Sequence, residues 1–110
     1  MRIWDVAPHE LCRVHLLAEH RELHGLWNIL TQGLRGYSRH PETLRWAGKL
    51  AALHRRHEAL VAEMERRGYR HASPLDANLA CGLAEQTDFV DPVDAQRRIL
   101  EAKPCACYSA

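Results

Sequence analysis

Residues 8–31 read PHELCRVHLLAEHRELHGLWNILT, and the spacing of their apolar side chains decides the fold class. Cys12, Leu16, Leu23, Trp27 and Leu30 recur at the intervals that place side chains on one face of an α-helix. Pro8 suits a first-turn position, where its missing N–H has no intrahelical partner to lose. At about 100° per residue, His15, Glu19, Glu22 and Leu26 form an adjoining stripe about 60° wide. Three polar groups therefore run together along the edge of the buried face.

Outward from this helix, QGLRGYSRH at 32–40 breaks the pattern with Gly33 and Gly36 and carries Arg35, Tyr37, Arg39 and His40. Such a basic, aromatic loop suits phosphate tracking or entry into a groove, because glycine lets backbone approach a ligand closely. A second stripe, Leu44, Ala47, Leu50, Leu53, Leu60, Val61 and Met64, predicts a helix over 41–67 with Gly68 at its C′ position. Beyond it, Ser73-Pro74-Leu75 reads as a turn, and 78–89 holds at most a short helical piece. A third helix is expected from Asp91-Pro92 to about residue 102, stopped by Pro104. The ending CACYSA is too short to fold by itself, and no segment alternates like a strand. The expectation is an all-α chain: one compact domain spanning 1–110, two long helices packed together plus a C-terminal helix.

Composition supports a folded chain. A protein of 110 residues hides roughly two-thirds of its unfolded surface, and 46% hydrophobic with 26% charged residues is ordinary for a globular domain. No secretory signal or bilayer-length apolar run is evident, so a cytoplasmic protein with mostly reduced Cys12, Cys81, Cys105 and Cys107 is expected. The net charge of +1 conceals a tilt. Residues 1–71 carry 12 Lys and Arg against 8 Asp and Glu, and all 8 histidines, whereas residues 72–110 carry 3 against 6. A polyanion would meet the first part.

The amino terminus supplies the chemistry. A free α-amine has a reference pKa of about 7.7–8.0, so roughly a tenth or more of it is an unprotonated nucleophile at neutral pH. Beside a carboxylate such as Glu22, the Met1 amine has the parts for imine formation.

Three blocks carry a resemblance: the opening MRI, the string HLLAEHREL at 15–23, and EALVAEMERRGY at 58–69. In order and spacing they resemble the pyrimidine-dimer DNA glycosylases of the phage endonuclease V type, with a weaker match at AQRRILEAKP, residues 95–104. The resemblance implies a monomeric all-α DNA-repair enzyme. It acts on damaged double-stranded DNA carrying cyclobutane pyrimidine dimers, without cofactor, metal or membrane. The amino-terminal amine attacks the sugar C1′, the base departs, an imine forms, and β-elimination cuts the backbone. Carried onto this chain, the catalytic residues are Met1, through its α-amine, and Glu22. Arg2, His15 and Arg21 are the supporting, substrate-binding positions, and Arg35, Arg39 and His40 of the loop join them.

The chain departs from that pattern in places. The phage-type enzyme loses its initiator methionine to expose a threonine, whereas here Met1 itself stands at the nucleophile's register beside bulky Arg2. Any primary α-amine forms an imine, so the chemistry tolerates this. Gly25 stands where a phosphate-binding arginine is expected, and the aromatic carboxyl-terminal segment is reduced to CACYSA. These departures leave open an abasic-site lyase, or a glycosylase for another damaged base. A noncatalytic helical module binding nucleic acid or protein is the third reading.

The remaining polar residues have plainer readings. His20 and His24 are four apart, His54 and His57 three apart, and Cys105-x-Cys107 offers thiolates, but none completes a zinc signature. Polar core packing explains the histidines, and no metal is expected. Trp4, Trp27 and Trp46 read as core, Glu19 as structural or supporting, and Arg55-Arg56 and Arg66-Arg67 as exposed helix charge.

Overall fold

The computed structural model describes residues 1–71 and 73–103, and its regular structure is helical, with no strand among those residues. Four α-helices form: α1 (Arg13–Gln32), α2 (Pro41–Trp46), α3 (Leu50–Arg66) and α4 (Val93–Glu101). Pro8–Glu10 and Ala77–Leu79 are 3₁₀ turns. The expectations for Pro104, Cys105, Cys107 and the rest of CACYSA lie outside the described residues.

The helix expected from residue 8 starts instead at Arg13, because residues 8–10 close a separate turn in which Glu10 accepts the Ala7 N–H. Leu16, Leu23 and Trp27 of the expected stripe are buried, Cys12 and Leu30 are half-buried, and Glu19 and Leu26 of the adjoining stripe are buried with them. Gly33 ends the helix in the left-handed region, φ 66°. α1 packs against α3, whose Ala52, Leu53, Leu60, Val61 and Met64 are buried. α3 closes as a Schellman motif: Tyr69 donates to the Met64 carbonyl and Gly68 to that of Glu65, with Gly68 at φ 83°.

The single helix expected over 41–67 is two helices. Gly48, at φ 74°, turns the chain between them, and residues 81–83 fill the gap. Ala51 donates to the Cys81 carbonyl and Ala52 to that of Leu83, while Leu83 donates back to Gly48. The first amides of a helix have no intrahelical acceptor, and here a neighbouring strap of chain supplies it. The break also rotates α2, so Leu44 and Ala47 are exposed rather than part of the stripe, while Trp46 is buried. Lys49, at the junction, is buried with its ammonium on Gln86 and Asp88.

The chain before α1 joins the core as well. Ile3, Trp4, Val6 and Leu11 are buried with the helix faces and Leu100 of α4, and Met1 packs at their margin. No helix among the described residues is long and apolar enough to cross a membrane.

Candidate active site

Residues 1–7 run through a helical protein without regular structure, so their backbone groups have no ladder partners of their own. Side chains from all four helices supply them. Glu19 of α1 accepts the Trp4 N–H at 3.1 Å, and Gln96 of α4 accepts the Asp5 N–H at 2.8 Å. Arg45 of α2 donates to the Ile3 carbonyl at 2.8 Å, and Arg56 of α3 to the Val6 carbonyl at 2.7 Å. The amino terminus is thus positioned by the folded whole.

Two of these groups are tightly buried charges. The Glu19 carboxylate, 1% exposed, receives Arg56 Nε at 2.7 Å and Nη2 at 3.0 Å besides the Trp4 amide. Burial pushes this carboxyl up, and Arg56 pulls against that shift. Arg45 spreads its guanidinium over Glu42, Asp5, the Asp88 carbonyl and the Ile3 carbonyl. Arg56 and Arg67 are therefore not the exposed charges that their sequence pairs suggest, since Arg67 reaches the Leu11 carbonyl and Glu63. Arg55 and Arg66 are exposed. The missed signal was spacing: Arg56 lies between Leu53 and Leu60 on the buried face of α3.

Some of the expected site residues gather and others stand apart. Arg2 lies 4.5 Å from the Trp4 ring centroid and pairs with Asp91 at 3.0 Å. His15 meets the same indole edge-on, with centroids 6.0 Å apart, and Cys12 Sγ lies 3.2 Å from its Nδ1. Arg2 and His15 thus gather around Trp4, which is itself buried, as are Trp27 and Trp46. Glu22 stands one turn beyond Glu19 on α1 and is exposed, next to exposed Arg21. Arg35, Arg39 and His40 gather with Tyr37 and Ser38, lining a cavity of about 420 Å³ past the far end of α1. His40 also caps α2, accepting the Glu42 N–H on Nδ1.

A further cluster, partly visible in the sequence, comes together behind Arg21. His20 and His24 of α1, His57 of α3 and His71 bring one ring nitrogen each within 4.8 Å of one another. Burial and mutual repulsion lower the pKa of His20 to about 4, and the same causes lower His24 and His57. His71 lies beyond the end of α3, so helical periodicity had no means of linking it to the other three.

Neither the curated proteins nor the solved structures include a match to this chain. The family model for pyrimidine dimer DNA glycosylase matches residues 1–77, a span that contains the amino-terminal run, α1, α2 and α3. A terminal segment anchored by four helices, a carboxylate on α1 and a basic loop all lie within that match, and the chain belongs to the pyrimidine dimer DNA glycosylase family.

Proposed function

We propose that the α-amine of Met1 is the nucleophile of a bifunctional glycosylase and abasic-site lyase acting on cyclobutane pyrimidine dimers, with Glu22 as its carboxylate. The observation that carries this reading is the tethering of residues 3–6 to all four helices. Three residues of extended chain span about 10 Å, and Glu22 is displaced from Glu19 by about 4.5 Å along the helix. The amine thus lies three residues from a backbone anchor on Glu19, and Glu22 stands one turn along the same helix.

The two glutamates suit different tasks. Glu19 already accepts three donors and holds the backbone, so it is a positioning residue. Glu22 is exposed and open to DNA. As the glycosidic bond breaks, its electron pair leaves with the base, and positive charge on the sugar is stabilised by the Glu22 carboxylate. The amine nitrogen bonds to C1′ and gives up a proton, the ring opens, and the imine forms. Removal of the C2′ proton then expels the 3′ phosphate, and water hydrolyses the imine to free the amine. Arg2, Arg21 and His15 meet phosphate. Arg35, Arg39 and His40 hold the flanking strand, and the acting species is a monomer on one lesion.

Borohydride trapping on a dimer-containing duplex tests this reading. The native terminus is expected to become covalently joined to DNA, and an uncleaved amino-terminal extension to abolish joining. Persistent trapping would move the nucleophile to a lysine. Lys103 is then the candidate, because the Lys49 ammonium is engaged by Gln86 and Asp88. One observation favours a second reading, an abasic-site lyase or a glycosylase for another base: Gly25 leaves open space where an arginine is expected. A panel of dimer, abasic and oxidised-base duplexes separates the two, and failure to trap on any of them would support the noncatalytic module.

A further inference from the structure

We propose that His20, His24, His57 and His71 form a four-imidazole site for a divalent transition-metal ion, zinc in the first instance. Tetrahedral zinc with Zn–N bonds of about 2.0–2.1 Å places its nitrogen ligands about 3.3–3.4 Å apart. His24 Nε2 already lies 3.2 Å from His20 Nε2 and 3.1 Å from His57 Nε2, and all four donor atoms lie within 4.8 Å of one another. Two edges of the tetrahedron are thus nearly in place, and a small movement of the remaining rings closes it.

Hydrogen bonding among the rings accounts poorly for this arrangement. A neutral imidazole carries one donor and one acceptor, so three converging Nε2 atoms cannot all be well matched to one another. Among the described residues, His71 Nε2 is buried without a hydrogen-bond partner. A cation facing the four lone pairs satisfies every one of them.

The surroundings match a ligand set. His57 Nδ1 lies 3.1 Å from Glu58 Oε1, and donating its proton there turns the Nε2 lone pair into the cluster. Crowding and burial keep the α1 and α3 imidazoles in the neutral form that binds metal. A cavity of about 520 Å³ lined by Leu17, His20, Arg21, His24 and Ser73 offers entry from solvent. Four nitrogens without a carboxylate or carbonyl among them disfavour magnesium and calcium, and a tetrahedral arrangement favours zinc over tetragonal copper. Four protein ligands close the coordination sphere, so the ion is structural: it clamps the chain leaving α3 onto both long helices.

The test uses the full chain, stripped with a chelator and titrated with Co²⁺ and then Zn²⁺. One equivalent of Co²⁺ is expected to give the intense visible bands of tetrahedral cobalt, which Zn²⁺ displaces, and stoichiometric Zn²⁺ should raise Tm. His71→Ala should weaken binding by about 100-fold or more and remove the Tm response, and Glu58→Gln should cost about 10–100-fold. His71 lies outside the helices, so circular dichroism is expected to show His71→Ala still folded. His54→Ala, which alters a neighbouring ring outside the four, should bind as the unmodified chain does. Absence of a stoichiometric site overturns the proposal, as does undiminished binding by His71→Ala or the weak spectrum of octahedral cobalt.

Discussion

Gly82 comes against the Gly48 carbonyl so closely that a Cβ would overlap it, and its φ of 81° lies in the left-handed region. Gly82→Ala should therefore cost at least about 2 kcal/mol through backbone strain and overpacking, read as a lower urea midpoint. Gly25 is the opposite case, exposed in the interior of α1 with open space where a Cβ would stand. Gly25→Arg should raise stability by about 0.5–1 kcal/mol, because glycine is a poor helix former. It should also tighten DNA binding and steepen its salt dependence if the proposed face is right. Glu22→Gln is expected to abolish base release while damaged-DNA binding persists in a gel-shift assay; retained turnover would remove Glu22 from the mechanism. The stripe His15, Glu19, Glu22 and Leu26 was legible from spacing alone. Which of its glutamates is buried was not, because that depends on Arg56, 37 residues away.

At the scale of elements, long amphipathic helices were legible and their interruptions were not. Apolar repeats marked the bodies of α1 and α3, and Gly68 marked the end of α3. The break at residues 47–49 depends on the strap at 81–83, whose carbonyls meet the first amides of α3, and nothing local to the break announces that partner. The α1–α3 contact contains the Glu19–Arg56 pair, with Arg56 reaching on to the Val6 carbonyl. Arg56→Ala leaves a buried carboxylate without its cation and should destabilise the protein by about 3–5 kcal/mol. Chemical denaturation measures that loss. A milder loss for Arg56→Lys would show the charge to matter more than the forked geometry.

Across the whole molecule, stability should fall in two stages as pH is lowered. The His20 pKa is lowered to about 4 in the folded chain, and those of His24 and His57 are also lowered. The unfolded chain takes up these protons first, so their neutral-state stability is present above the ordinary histidine pKa of about 6.5 and is lost as pH falls toward 4. Glu63, held near 2 by Arg66 and Arg67, contributes stability above its ordinary value that is lost between about 4.5 and 2. Glu19, raised by burial, works in the opposite sense over the acid range. Urea midpoints measured from about pH 8 to 3 in the presence of a chelator should first decline below about 6.5; a flat profile down to about pH 4.5 would contradict the histidine assignment. Neither this cluster nor the anchoring of the first residues was readable as a unit, because both join parts far apart in sequence. Asp5 is held by Gln96, 91 residues later, and closing so long a loop is slow relative to helix formation. During synthesis, Asp5 leaves the ribosome long before α4 does, and its amide waits without this acceptor until the helix that carries Gln96 emerges. The Asp5 amide therefore gains its partner only once α4 has been made, and ribosome-stalled chains lacking α4 should show rapid amide exchange at Asp5.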